Sequence, residues 1–148
     1  MKLALATPTP EVKTTVPVAL LSGSFPERMR KAARLGYDGV ELMVVRPDEL
    51  SVEEIRTQVS QAGLEVAAIA TGAIYMTDQI TLLASDPDLS RQAATRLEAL
   101  IDLAAALQAP IVTIGSFRGR LAWAGGPKAR EKLAEILRMG AEKAMRQD

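Results

Sequence analysis

The sequence predicts an α/β fold built from four strand-helix units whose strands run parallel. Three observations carry the prediction. Short, nearly continuous apolar runs of strand length recur along the chain, the pattern of strands covered on both faces. Between them lie longer segments with apolar residues at helical spacing, opened by Ser, Asp or Pro and closed by Gly or a polar turn. Strands separated by helices of this length must pair in parallel through right-handed crossovers, which leaves a doubly wound sheet or a (β/α) barrel.

The first strand is either residues 2–6 or residues 16–21, two apolar runs separated by a stretch containing Pro8 and Pro10. Ser24, Pro26 and Glu27 supply a cap, a first-turn proline and an early acid, so the first helix is expected at 26–35, ended by Gly36. Residues 39–45 form the second strand, interrupted only by Glu41. Ser51 with Glu54 three residues on reads as a capping box for the second helix, which Gly63 closes. The third strand spans 64–71. Residues 75–85 carry no clear pattern, after which Asp86 and Pro87 open a long helix through Ala109, with Leu97, Leu100, Ile101 and Ala104 on one face. The fourth strand spans 111–115, a Gly- and Arg-rich loop covers 116–126, and Pro127 starts a last helix that reaches the C-terminus. The 148 residues would hold a complete doubly wound domain, whereas a complete barrel takes about 250. Length discriminates poorly between them, and on periodicity alone a flavodoxin-like sheet is slightly favoured.

Residues 1–148 read as a single domain. Eighteen basic and eighteen acidic residues balance, so no global field draws polyanions or acidic lipid and nucleic acid is not an expected partner. The chain contains neither cysteine nor histidine, which removes thiolate chemistry, the commonest metal ligand and every Ser-His or Cys-His nucleophile. No apolar stretch approaches the roughly 18 residues of a membrane span, and the N-terminus lacks a signal-peptide pattern. A soluble, cytoplasmic protein is the expectation.

Three motifs shift the balance between sheet and barrel. Ala33-Arg34-Leu35-Gly36-Tyr37-Asp38-Gly39-Val40-Glu41-Leu42 strongly resembles the first-helix to second-strand junction of the xylose isomerase-like TIM barrels. Gln61-Ala62-Gly63-Leu64-Glu65-Val66 is similar to that family's next helix-strand turn, and Leu107 to Gly115 to its approach to strand four. The three occur in family order at family spacing. The resemblance implies half of a (β/α)8 TIM barrel, the N-terminal four β/α units with parallel strands. It further implies part of a sugar or sugar phosphate isomerase/epimerase, in which the full barrel uses a divalent metal, Mn or Mg. The family's metal-binding and catalytic positions lie on strands five to eight, so this chain is expected to hold no catalytic residue and no metal ligand. Activity would then require a C-terminal half barrel. The alternatives are a non-catalytic half that self-associates into an eight-stranded barrel and a flavodoxin-like binding domain. In the family's endonuclease branch, histidines on strands three and four bind metal; their absence here favours the isomerase/epimerase branch.

Five residues are candidates for contact with a substrate. Glu41 breaks an apolar strand near its C-terminal end, where barrel sites gather. A buried carboxylate must be paired or face a pocket, and the other reading is a salt bridge to a neighbouring strand or loop cation, with Arg46 and Arg118 the obvious candidates. Ser116 and Arg118 follow strand four, and a guanidinium forks onto phosphate or carboxylate while the glycines beside it allow closure; a solvated loop is the plain alternative. Thr71, with Gly72 and Tyr75, follows strand three on the same rim, unless these residues only make the turn. Trp123 could stack on a sugar face or cap the barrel mouth. The turn from Ser22 to Ser24 precedes a helix N-terminus and could attract an anion, though an ordinary cap suffices. Arg30, Lys31 and Arg34 read as a solvated helix face.

Overall fold

The computed structural model describes residues 1–13, 15–17, 19–121 and 126–147. Strands and helices alternate as β1 (Ala4–Pro8), α1 (Phe25–Arg34), β2 (Gly39–Met43), α2 (Val52–Gln61), β3 (Glu65–Ala70), α3 (Gly72–Asp78), α4 (Pro87–Ala106), β4 (Val112–Thr113) and α5 (Pro127–Met145). Two 3-10 turns, Pro47–Glu49 and Ser116–Arg118, follow β2 and β4.

All strand pairs are parallel and the sheet order is β1-β2-β3-β4. That order excludes the flavodoxin-like sheet, in which the second strand lies outside the first. Each new strand is added on the same side, as in a barrel wall, and four of eight strands make half a (β/α)8 barrel. Of the two runs offered for the first strand, the earlier one pairs. In the later one, Val16 packs with Met43, Val45, Ala70 and Ala73 at the ends of β2 and β3.

Side-chain alternation gives the sheet two different faces. Leu5, Val40, Leu42, Val44, Val66 and Ile69 pack against Phe25 and Met29 of α1, Ile55 and Val59 of α2, and Leu97, Leu100 and Ile101 of α4. Burial of each such side chain is worth about 1.5–3 kcal/mol. This is why the face of α4 legible in the sequence is also its buried face. The opposite face carries Ala6, Glu41, Met43, Ala68 and Ala70, and forms the barrel's inner side.

Three elements differ from expectation for local reasons. β2 stops at Met43 because the amide of Val45 leaves the ladder and donates to Glu11 Oε1 at 3.0 Å. Residues 72–78, expected as turn or irregular, form α3, closed by Gln79 in the left-handed region at φ 55°. β4 is only two residues long, and among the described residues it pairs with β3 alone. No helix among the described residues is long and apolar enough to cross a membrane.

Candidate functional site

Glu41 stands in register between Ala6 of β1 and Ala68 of β3. The ladder between β2 and β3 skips a residue at Val40/Glu41, so that Ala67 is left over as a bulge beside the carboxylate. Bulges of this kind re-aim side chains. The close approach also depends on Gly39, where a Cβ would lie 2.7 Å from the carbonyl oxygen of Glu65. The family-like Gly-Val-Glu-Leu run therefore has a mechanical meaning: glycine lets β3 come close, and the carboxylate two residues later emerges on the inner face.

Among the described residues, the salt bridge offered as the other reading of Glu41 does not form. Arg46 instead pairs with Asp78 Oδ1 and lies 3.7 Å from Glu49. Asp78 also receives Arg96 of α4 at 3.4 Å, and Arg96 donates to the carbonyl of Val45. Arg118 is exposed and makes no ion pair among the described residues. The contact Glu41 does make is with Thr113 of β4, whose hydroxyl donates to Oε1 at 3.4 Å.

Thr71 is fully buried and donates its hydroxyl to the carbonyl of Thr113 at 2.8 Å. It ties the end of β3 to β4, directly behind the Glu41 contact. Ser116 donates to the carbonyl of Gly72 at 3.1 Å, holding the loop after β4 against the start of α3. Together with Tyr75, Gln79 and Arg120, Ser116 and Arg118 border an open hollow of about 430 Å³. The loop is pinned from below. Phe117 is fully buried, and the amides of Leu82 and Leu83 donate to the carbonyls of Phe117 and Arg118 at 2.9 and 3.2 Å. Gly119, at φ +85°, fits where a Cβ would be 2.9 Å from Thr81 Oγ1. The glycine expected to let the loop close thus serves close packing.

Trp123 lies outside the described residues. At the start of α1, Glu27 Oε2 accepts from both the amide and the hydroxyl of Ser24, at 2.7 and 2.8 Å. The chain's own carboxylate occupies the place offered to an anion. The Ser24 hydroxyl, more than any other cause, holds the Glu27 carboxyl below its ordinary range.

Two residues of this region went unread in the sequence. Thr113 is the lone polar residue in the run Ile-Val-Thr-Ile, so the rule that singled out Glu41 on strand two would also have found it. Asp78 had no such signal, because it ends a helix whose residues showed no period. Among the described residues no group of three or more carboxylate, imidazole or thiol side chains is placed to hold a metal ion. Glu41, flanked by two alanines and a threonine, offers one carboxylate. The residues present do not by themselves fit a divalent metal.

A family model described as xylose isomerase-like TIM barrel matches residues 29–148. No curated protein matches the chain in sequence. Among solved structures, 3-keto-D-glucoside 4-epimerase from E. coli superposes with a TM-score of 0.68 at 17% identity, over 99% of this chain and 53% of its own. D-allulose 3-epimerase from Methylomonas sp., in complex with D-allulose, gives 0.64 at 18% over 97% and 48%. A putative xylose isomerase from Rhodospirillum rubrum gives 0.64 at 23% over 99% and 51%. The chain spans about half the length of each of these structures, and it belongs to the xylose isomerase-like TIM barrel family.

Proposed function

We propose that this chain forms one half of the pocket of a sugar or sugar phosphate isomerase/epimerase, supplying wall and substrate contacts while the other half of the barrel supplies the metal and the catalytic carboxylates. The observation that carries the reading is Glu41. A carboxylate with no ion pair among the described residues, set among alanines on the inner face, is available to accept hydrogen bonds from sugar hydroxyls. Thr113 and Thr71 fix the strand ends around it. Ser116 and Arg118 extend the proposed contacts along the rim, where a guanidinium suits an anionic substituent, and Trp123 is proposed as a further sugar contact. The names of the similar structures, an allulose epimerase complex among them, support a ketose as the substrate class.

In this reading the chain alone is inactive, because proton transfer at a sugar carbon needs an acid-base pair and a metal to hold vicinal oxygens. The test is epimerisation of a panel of ketoses and ketose phosphates with Mn or Mg, by this chain and by a form extended through strand eight. The extended form is expected to turn over at least one of them, and to lose affinity when Glu41 is replaced by Gln. An extended form inert toward every sugar and metal would overturn the assignment.

A further inference from the structure

We propose that the hollow between the segment after β1 and the start of α2 binds a small primary amine, whose ammonium group is taken by Glu11 and Gln58. Pro10, Glu11 and Lys13 line it from the segment after β1, and Glu49, Glu54 and Gln58 from the turn after β2 and from α2. None of the lining residues is among those proposed to touch a sugar, so the site does not depend on the sugar reading. Its volume of about 260 Å³ lies below the range of about 300–1,000 Å³ that suits larger ligands.

Two acceptors left over from folding carry the inference. Glu11 is 7% exposed. Its Oε1 accepts from the amides of Val45 and Arg46, at 3.0 and 3.4 Å. Its Oε2 is buried and, among the described residues, has no hydrogen-bond partner; the same holds for Gln58 Oε1. A buried acceptor without a donor is costly, and a carboxylate oxygen most of all. Two such atoms, on residues that line one hollow, point to a ligand that brings donors.

Charge and donor count select the ligand. Glu11, Glu49 and Glu54 line the hollow against Lys13. Even with Glu49 answered by Arg46 at 3.7 Å, negative charge exceeds positive, so a cation is favoured. Lys13 does not supply the missing donor, since its Nζ donates to the carbonyl of Pro10 at 2.8 Å. The start of α2 does not reverse the sign. Ser51 Oγ accepts from the Glu54 amide at 3.3 Å, and Glu53 and Glu54 already occupy the first turn. A hard metal ion asks for about six oxygens, and no three carboxylates among the described residues are placed to hold one. A primary ammonium asks for less. Its three N–H groups can serve Glu11 Oε2 and Gln58 Oε1 and leave one for water or a rim carboxylate. The bond to Glu11, between two charges, is the stronger of the two.

The test is nuclear magnetic resonance of the full chain titrated with n-butylammonium chloride, against tetramethylammonium chloride at the same ionic strength. Butylammonium is expected to shift the amide signals of Val45 and Arg46 and the side-chain amide of Gln58 in a saturable way. Tetramethylammonium, a cation with no N–H, is expected to leave them in place. Glu11→Gln keeps an acceptor for the two backbone amides and removes the charge. It is expected to weaken butylammonium binding by about tenfold or more, the worth of one charge-assisted hydrogen bond. Equal shifts with both cations, no saturable shift with butylammonium, or an affinity unchanged by Glu11→Gln would each overturn the proposal. So would binding that emerges only after Lys13→Met, because Lys13 would then be the occupant in the native chain. Should Glu11→Gln unfold, Gln58→Leu decides instead. A weaker affinity for butylammonium supports the site, and an unchanged one refutes it.

Discussion

The hydroxyl of Thr113 on β4 donates to the carboxylate of Glu41 on β2 at 3.4 Å, reaching across the alanines of β3 that lie between them. The contact joins two strands that are not neighbours in the sheet, through the polar residue each carries on the inner face. At that distance it is a weak bond, worth about 0.5–1 kcal/mol. Thr113→Val is expected to cost about that much in urea unfolding, and the cost should fall toward zero in a Glu41→Ala background. A penalty unchanged in the double mutant would mean that the two groups do not interact.

Asp78 lies between two guanidiniums, so removing its charge leaves Arg46 and Arg96 facing each other. Asp78→Asn is expected to destabilise by roughly 2 kcal/mol, less than for a deeply buried ion pair because the Arg46 side chain is partly exposed. Adding Arg96→Met to that variant should recover part of the loss. Thermal unfolding of the single and double variants checks both statements.

Gly39→Ala places a methyl group 2.7 Å from the Glu65 carbonyl. The carbonyl belongs to the sheet backbone and the methyl is fixed rigidly to it, so neither moves without disturbing the ladder. The expected penalty is about 1–3 kcal/mol, read as a lower urea midpoint with an unchanged slope. A neutral result would show that β2 and β3 are farther apart than described.

Glu27 provides a pH dependence of known sign. Its carboxyl is held below its ordinary value of 4.5, chiefly by the Ser24 hydroxyl. A carboxylate with a lowered folded-state pKa stabilises the fold above the ordinary value, and that stabilisation is lost as the pH falls through the lowered one. The melting temperature of Glu27→Gln should therefore lie below that of the native chain at neutral pH. The two should converge under acid conditions. Parallel melting curves at all pH values would show that the Ser24 contact contributes nothing.

Arg118 is exposed and without an ion pair among the described residues. Arg118→Ala is expected to leave stability within about 0.5 kcal/mol of the native chain. In the sugar reading it should still weaken binding of a ketose phosphate more than of the neutral ketose. Equal effects on both ligands in calorimetry would remove the anion role.

The fold was largely legible because its determinants are local. The caps at Ser24 and Ser51, the apolar runs at β2 and β3, and the periodic face of α4 are each set by residues near one another in sequence. The short helix α3 was not legible. Its seven residues are too few to show a period, and it is held by tertiary ties: Ser116 to Gly72 at its start, and Asp78 between two arginines at its end.

For the site, the sequence by itself determined the chemistry available: a carboxylate in an apolar strand, arginines after strand four, and neither histidine nor cysteine. It also determined the family, through glycine and glutamate positions whose spacing answers to backbone approach between β2 and β3. What only the tertiary structure decided is which groups meet. Arg46 turned to Asp78, Thr71 went inside to hold Thr113, Glu27 filled its own helix start, and Glu41 was left facing the barrel interior. Pairing of charges depends on distances across strands and helices far apart in the chain, and those distances are fixed only when the helices pack on one side of the sheet and leave the other side open.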